Sequence, residues 1–263
     1  MLNNLHQTTF ALYLLATLFY LLRFIFDKQR FSQVAFQLTV LAGIFQFCIF
    51  FYSLYTTPSL LTPSYYLYFQ LTSLGIAAVF LFLCFFKKLY SGGLFFVVAI
   101  DLFYILSFTN NSPDPKGLKP LAVFFQTLHL SAIFLCLVFF SIALIMAILF
   151  LISERQIKIK HFGGAASRLP SLGSLEKIHD KALFISFVLL TLAILLGAGF
   201  LKSKTGHYLA LEKPKQSFGL VCWFFFAVFL NFKAKHGWRG HKGIALSLVG
   251  LLCLTLLFLI GLS

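Results

Sequence analysis

Residues 181–243 decide the fold of this chain, and they read KALFISFVLLTLAILLGAGFLKSKTGHYLALEKPKQSFGLVCWFFFAVFLNFKAKHGWRGHKG. The segment contains two apolar runs, Ala182–Leu201 and Phe218–Phe232. A polar loop, Lys202–Ser217, separates them, and a basic turn, Lys233–Gly243, follows the second. Because apolar runs of this kind are typical of membrane helices, we expect the loop and the turn on opposite sides of a membrane.

The composition of the whole chain excludes a water-soluble globular protein. Hydrophobic residues make up 60% of the chain and charged residues 11%, and the mean hydropathy is +0.94. Such a chain cannot bury its apolar side chains in a soluble core. The net charge of +14 is concentrated between the apolar runs, so we expect membrane lipids with acidic headgroups, and not nucleic acid, as its partners.

Eight apolar runs approach or exceed the length needed to cross a hydrocarbon core of roughly 30 Å. They are Thr8–Phe26, Val34–Tyr55, Leu67–Phe86, Leu89–Phe108, Val123–Ile152, Ala182–Leu201, Phe218–Phe232 and Ile244–Leu262. The sequence therefore predicts an all-α, polytopic membrane helix bundle of eight transmembrane helices, forming a single integral membrane domain over residues 1–263. The first run follows MLNNLHQ, which contains no Lys or Arg, so we expect it to remain in the mature protein.

The orientation follows from the positive charges in alternate loops. Of the 21 Lys and Arg residues, fifteen fall on one side of the predicted membrane, and six fall on the other: Lys116, Lys119, Lys202, Lys204, Lys213 and Lys215. Cytoplasmic loops carry the excess of Lys and Arg. We therefore predict that the side with fifteen is cytoplasmic and that both termini lie outside.

A fusion experiment tests this orientation. We expect a reporter that is active only outside the cytoplasm to work at Ser263 or within Lys202–Ser217, and to fail within Arg155–Lys181. Fusions of the same reporter at all three places form a matched set. Activity after Arg168 would contradict the predicted orientation.

The fifth run contains the first candidate site residue. About thirty residues make roughly 45 Å of helix, which exceeds the thickness of the hydrocarbon core. If Glu154 and Arg155 mark the inner boundary, His129 lies in the outer headgroup zone. We expect it to lie level with the Lys202–Ser217 loop, which contains His207.

The sequence also contains other histidines, one carboxylate within an apolar run and five cysteines. His161, His179, His236 and His241 are assigned to the basic cytoplasmic face. Asp101 lies within the fourth run, where a carboxylate is either functional or a protonated structural hydrogen bonder. The five cysteines all lie in apolar runs without CxxC spacing, so we interpret them as packing residues.

Three stretches carry a resemblance to a known family: LHLSAIFLCLVFFSIALIMAILFLISERQIKIK (128–160), LPSLGSLEKIHDKALFISFVLLTLAILLGAGF (169–200) and CWFFFAVFLNFKAKHGWRGHKG (222–243). In these stretches the chain resembles the cytochrome c assembly protein family, haem-handling membrane proteins of the CcmC, CcsA and HemX kind. It is most similar to the YpjD-type members with eight spans in the bacterial inner membrane. The resemblance is strongest over residues 120–263.

The resemblance implies an outward-facing haem site with histidines as axial ligands. His129 matches the family's outer histidine, Trp223 matches a tryptophan of the span after the Trp-rich loop, and residues 237–240 match the inner turn. The Trp-rich motif itself is absent between Gly199 and Ser217. His129 is then either a haem-iron ligand or an interfacial histidine satisfied by a carbonyl or water, and His207 is either a second ligand or an interface anchor.

The outer lysines add a possible anion site. Four of the six, Lys202, Lys204, Lys213 and Lys215, lie in the one loop. They pair with either haem propionates or headgroup phosphates. We therefore expect a haem-binding protein that assists cytochrome c maturation at the outer face of the bacterial inner membrane, with other maturation components as partners and no enzyme activity. The alternatives are a transporter of a small anionic solute and a non-catalytic scaffold without haem.

Overall fold

The structure of the protein is a computed structural model, which describes residues 2–26, 28–56, 65–87, 89–109, 120–159, 170–208, 214–237 and 240–250. The regular elements of these residues are helical, as the sequence predicts. The α-helices are α1 (Leu2–Phe26), α2 (Gln29–Thr56), α3 (Tyr65–Lys87), α4 (Gly93–Thr109), α5 (Pro120–Lys158), α6 (Leu172–Thr205), α7 (Pro214–His236) and α8 (241–250). A short 3-10 turn, Tyr90–Gly92, precedes α4.

Six of these helices, α1, α2, α3, α5, α6 and α7, are long and apolar enough to cross a membrane. α4 is a shorter apolar helix, and most of the predicted eighth span lies outside the described residues. In lipid only a helix or a closed barrel satisfies all backbone polar groups, which is why long apolar runs become continuous helices. The chain is therefore a multi-pass membrane protein, while the count of eight spans and the outer position of both termini stay predictions.

The chain divides into two compact units. The first unit comprises residues 1–111 and 148–174, and the second comprises residues 112–147 and 175–263. α5 contributes to both, because its last turns from Ile148 onward belong to the first unit. The prediction of a single integral membrane domain stays a prediction.

The first unit has a hydrogen-bonded polar chain inside an apolar bundle. The Tyr13 hydroxyl donates to the Gln46 side-chain oxygen over 2.8 Å, and the Gln46 amide donates to Gln70 Oε1 over 2.9 Å. The Gln70 amide in turn donates to Ser107 Oγ over 3.0 Å. All four side chains are buried. One side chain from each of α1, α2, α3 and α4 therefore joins the chain.

Asp101 lies on α4 in the same unit, and its side chain is 7% exposed. The Thr17 hydroxyl donates to Oδ2 over 2.8 Å. Oδ1 has no hydrogen-bond partner among the described residues. Asp101 is thus a buried carboxyl group with one hydroxyl partner, and both sequence interpretations of it remain open.

The second unit brings α5 and α7 against α6. Cys136 Sγ on α5 donates to the Ser186 carbonyl on α6, which fits its predicted role as a packing residue. α6 ends where Gly206 adopts φ +83°, a left-handed conformation that glycine adopts without a steric penalty. The Gly206 amide donates to the Lys202 carbonyl over 2.9 Å, which satisfies one of the last carbonyl groups of the helix.

Candidate functional site

His129 lies half-buried on α5 and faces α6. Its Nδ1 is 2.7 Å from the Ala193 carbonyl oxygen. Because a carbonyl oxygen only accepts hydrogen bonds, Nδ1 must carry the proton and donate it. Among the described residues Nε2 makes no hydrogen bond. His129 therefore presents an unprotonated Nε2, the form in which a neutral imidazole binds a metal.

The depth of His129 differs from the predicted one. We expected it level with the Lys202–Ser217 loop, but its contacts on α6 are Ala193 and Gly197. At 1.5 Å per residue these positions lie roughly 7 to 14 Å before Lys202. The difference arises because His129 packs against α6 five to nine residues before Lys202, and α6 continues as a helix beyond that lysine to Thr205.

His207 lies beyond the end of α6 and is exposed. Its backbone amide is 3.4 Å from Thr205 Oγ1. No described hydrogen bond or ring contact joins it to His129, and about 12 Å of helix separates Gly197 from Thr205. The structure thus does not bring the two predicted ligands together, and their pairing on one iron stays a prediction.

The outer lysines lie at the same end of α6. Lys202 and Lys204 are exposed in its last turn. Lys202 Nζ donates to the Tyr208 hydroxyl and lies 4.2 Å from the centre of that ring. Lys213 lies outside the described residues, and for Lys215 only the backbone, in the first turn of α7, is described. The Lys202–Tyr208 pair is a local contact that the sequence analysis missed.

Trp223 packs against a different face of α6 from His129. Its Nε1 donates to Thr191 Oγ1 over 2.8 Å, and its ring stacks on Phe187 at 5.9 Å. Successive helix residues are 100° apart, so Thr191 and Ala193 lie about 200° apart around α6. α6 therefore stands between Trp223 and His129, and the structure does not bring them into one site.

A buried polar cluster lies near the start of α6, and the sequence analysis missed it. His179 is 0% exposed, with Nδ1 3.0 Å from Asp180 Oδ1 and Nε2 2.9 Å from Ser247 Oγ. Asp180 also pairs with Lys233 on α7. The assignment of His179 to the basic cytoplasmic face stays a prediction, and the structure adds that its ring is buried between α6 and α8.

The turn before α8 is fixed to the same end of α6. Glu176 Oε1 accepts a hydrogen bond of 2.7 Å from the Gly240 amide, and Gly240 has φ +69°. We call His179, Asp180, Lys233, Ser247 and Glu176 the inner cluster. Ser247 is 0% exposed and its hydroxyl donates to the Ile244 carbonyl over 2.7 Å. The imidazole and hydroxyl groups of this cluster are thus buried between α6 and α8.

His6 is not among the predicted ligands, and its contacts explain why it is a poor one. Nδ1 lies 2.9 Å from the Tyr104 hydroxyl and Nε2 lies 3.2 Å from the Tyr66 hydroxyl. Both ring nitrogens are therefore occupied. The two tyrosine contacts come from α3 and α4 and distinguish His6 from His129. The sequence pattern does not reveal these contacts.

The chemistry of His129 fits a metal whose other ligands come mostly from a non-protein group. No group of three or more His, Cys, Asp or Glu residues with metal-binding geometry occurs in the described part of the chain. Haem iron needs only axial ligands from the protein, because the porphyrin supplies the others, and a single histidine is a sufficient proximal ligand. The accepting Ala193 carbonyl is the kind of partner that orients a ligating imidazole. The donor chemistry of His129 therefore fits a haem-iron ligand.

Relatives of known name align with part of the chain. The cytochrome c biogenesis protein CcsA of Parasynechococcus marenigrum (strain WH8102) is 26% identical over 92 residues, which cover 35% of this chain and 30% of that protein. CcsA of Gloeobacter violaceus (strain ATCC 29082 / PCC 7421) is 29% identical over 97 residues, covering 36% of this chain and 28% of that protein. The aligned segment thus spans less than a third of either relative. No solved structure matches the chain.

A family-wide comparison covers almost the whole sequence. The sequence model of the cytochrome C assembly protein family matches residues 5–263. The match includes α1 to α4, where the resemblance rested only on the number and spacing of spans, as well as His129 and the inner cluster. With this match, the predicted resemblance is confirmed, and the chain belongs to the cytochrome c assembly protein family.

Proposed function

We propose that this protein binds haem through His129 at the outer face of the bacterial inner membrane and assists cytochrome c maturation. Two facts support the proposal. The chain belongs to the cytochrome c assembly protein family, and the curated relatives it aligns with are named cytochrome c biogenesis proteins. Its partners in this role are haem, membrane lipids and other cytochrome c maturation components.

The single observation that carries the proposal is the state of the His129 ring. The Ala193 carbonyl holds the proton on Nδ1, 2.7 Å away, and leaves Nε2 to bind iron. Haem, when bound, supplies an iron centre that needs only axial ligands from the protein. His207 is proposed as the weaker second ligand, because it lies in an exposed segment beyond α6 that must approach His129 to reach the same iron.

The proposed role is binding and handling, without catalysis. The hydroxyl–imidazole–carboxylate contact of the inner cluster is fully buried at His179 and Ser247, so it offers no reactive group to a substrate. The buried carboxyl group of Asp101 has one hydroxyl partner, Thr17, and no second carboxylate among its described contacts. We therefore propose no catalytic role for either arrangement.

An absorption spectrum tests the haem proposal directly. We expect the protein purified in detergent to show a Soret band, or to acquire one when haem is added to the haem-free protein. A scaffold of the same fold and a transporter of a small anionic solute show no such band. A protein that purifies without haem and fails to take it up contradicts the proposal.

The outer lysines give a further prediction. Changing Lys202, Lys204, Lys213 and Lys215 together to Gln should weaken haem retention about tenfold if these ammonium groups hold the propionates. Expression should remain close to normal, because Lys202 and Lys204 are exposed. Haem content per protein, measured after repeated washing, checks this result.

A matched variant controls for loss of charge alone. Lys177, Lys181, Lys235 and Lys242 are also exposed and are predicted to lie on the cytoplasmic side. Changing these four to Gln removes the same charge and should leave haem retention unaltered. If the outer variant also retains haem as the wild type does, the lysines contact headgroup phosphates instead.

A further inference from the structure

His129 contacts two positions one turn apart on α6. Its Nδ1 donates to the carbonyl of Ala193 over 2.7 Å. Four residues later lies Gly197, where an added Cβ would be 2.8 Å from His129 Cε1 and 3.0 Å from Nδ1. Residues four apart lie on one face of a helix. One face of α6 thus supplies both a hydrogen-bond acceptor and the space for the ring.

The two contacts restrict different properties of the ring. The carbonyl of Ala193 determines which nitrogen carries the proton, because it accepts and cannot donate. The missing side chain at Gly197 allows the imidazole to lie directly against the α6 backbone. An added Cβ would lie 2.8 Å from His129 Cε1, which is closer than Cβ atoms approach other atoms in real proteins. Together, the Ala193 carbonyl and the space at Gly197 fix the tautomer of the His129 ring and the direction in which its Nε2 points.

We propose that Ala193 and Gly197 are the positioning residues that make His129 Nε2 an iron ligand. The inference rests on the proposed function, in which His129 binds haem. Partners that hydrogen-bond a ligating imidazole fix its tautomer and raise its basicity, and their loss commonly weakens metal binding 10- to 100-fold. Because the acceptor at Ala193 is a backbone atom, Gly197 is the position at which a substitution can disturb this arrangement.

The variant Gly197→Ala tests the proposal. The new methyl group overlaps the His129 ring, so the ring must turn or withdraw and its hydrogen bond to Ala193 must lengthen. We expect haem to bind about tenfold more weakly. The residual complex should show a displaced Soret band and a displaced midpoint potential, two properties that a change in stability alone does not alter.

Two matched glycines serve as controls. A Cβ at Gly199 would lie 2.8 Å from Phe125 Cε1, so Gly199→Ala creates a similar overlap on α6 with the Phe125 ring in place of the His129 ring. A Cβ at Gly219 on α7 meets nothing within 4 Å, so Gly219→Ala controls for helix propensity. Both variants should keep the wild-type spectrum and potential, whatever their stability.

A measurement on haem-free protein separates this inference from the proposed function. In wild-type protein labelled with 15N-histidine, nuclear magnetic resonance should identify His129 as the Nδ1–H tautomer, with the signal assigned by its absence in His129→Gln. This measurement needs no glycine variant and so remains decisive if Gly197→Ala fails to fold. In a folded Gly197→Ala protein the tautomer signal should shift toward a mixture.

The outcomes distinguish the two proposals. An Nδ1–H tautomer in wild-type protein that never takes up haem supports the positioning of His129 and contradicts the proposed function. An Nε2–H tautomer in wild type overturns the inference even if haem binds. The inference is also overturned if Gly197→Ala binds haem with wild-type affinity, spectrum and potential, or if Gly199→Ala changes them equally.

Discussion

Replacing His129 by Ala is expected to remove most of the haem from the purified protein and to change the absorption spectrum of the remainder. The imidazole whose Nε2 faces away from the Ala193 carbonyl is the proposed stronger axial ligand. Loss of one of two axial ligands leaves some haem bound with an altered spin state, and loss of both releases it. Haem content per protein and the Soret position measure the effect.

A graded series follows from the weaker position of His207. His207→Ala should lower haem content less than His129→Ala, because His207 lies in an exposed segment beyond α6. The double variant should bind no haem. Equal losses in the two single variants would contradict the ranking of the two ligands, although haem binding itself would stand.

Two histidines that are predicted to lie on the cytoplasmic side provide the controls for this series. His161→Ala and His236→Ala remove an imidazole on the side opposite to the predicted haem site and should leave the spectrum unchanged. His179 is unsuitable as a control, because its ring is 0% exposed within the inner cluster. If His236→Ala lowers haem content as strongly as His129→Ala, the assigned side of the site is wrong.

The second large effect is expected at His179, on stability. Its two ring nitrogens bond Asp180 and Ser247. Replacement by Ala leaves a cavity and removes a partner from each of them, which together should lower the free energy of unfolding by about 2 to 4 kcal/mol. Denaturant unfolding in detergent measures this loss.

The neighbouring Lys181 offers a matched control on the same helix. It is exposed, so Lys181→Ala should change the free energy of unfolding by less than about 0.5 kcal/mol. Ser247→Ala removes only one of the two partners of His179 and should fall between the two variants. A His179→Ala protein as stable as the Lys181→Ala protein would mean that the inner cluster contributes little to packing.

The helices were predictable because lipid allows few alternatives. A long apolar run has to satisfy its own backbone, so Val123–Ile152 predicts a helix directly. α5 extends beyond that run at both ends, since Pro120 is well suited to a first helical turn and the Glu154–Lys158 pair at 2.9 Å supports the last one. The ends were harder to predict, because helices do not stop where their apolar residues stop.

The contacts of the candidate site were not predictable from the pattern. The burial of His179 depends on Ser247, which lies 68 residues away. The free nitrogen of His129 depends on a backbone carbonyl at Ala193, and a backbone atom leaves no mark on residue type. Sequence reasoning therefore named His129 as a candidate ligand but missed the contacts that orient its ring. It also could not predict the face of α6 against which Trp223 packs.

The polar chain of the first unit constrains how the protein is inserted during its synthesis. Gln46 on α2 and Gln70 on α3 bond each other within one helical hairpin, so both enter the bilayer with a partner. The Gln70 amide also donates to the Ser107 hydroxyl on α4. Because Ser107 is synthesised after Gln70, this hydrogen bond forms later. A side-chain amide in hydrocarbon forms hydrogen bonds with whatever polar groups are available on other helices. Truncation before Ser107 should thus leave a nascent chain that chaperones or membrane proteases recognise as unfinished.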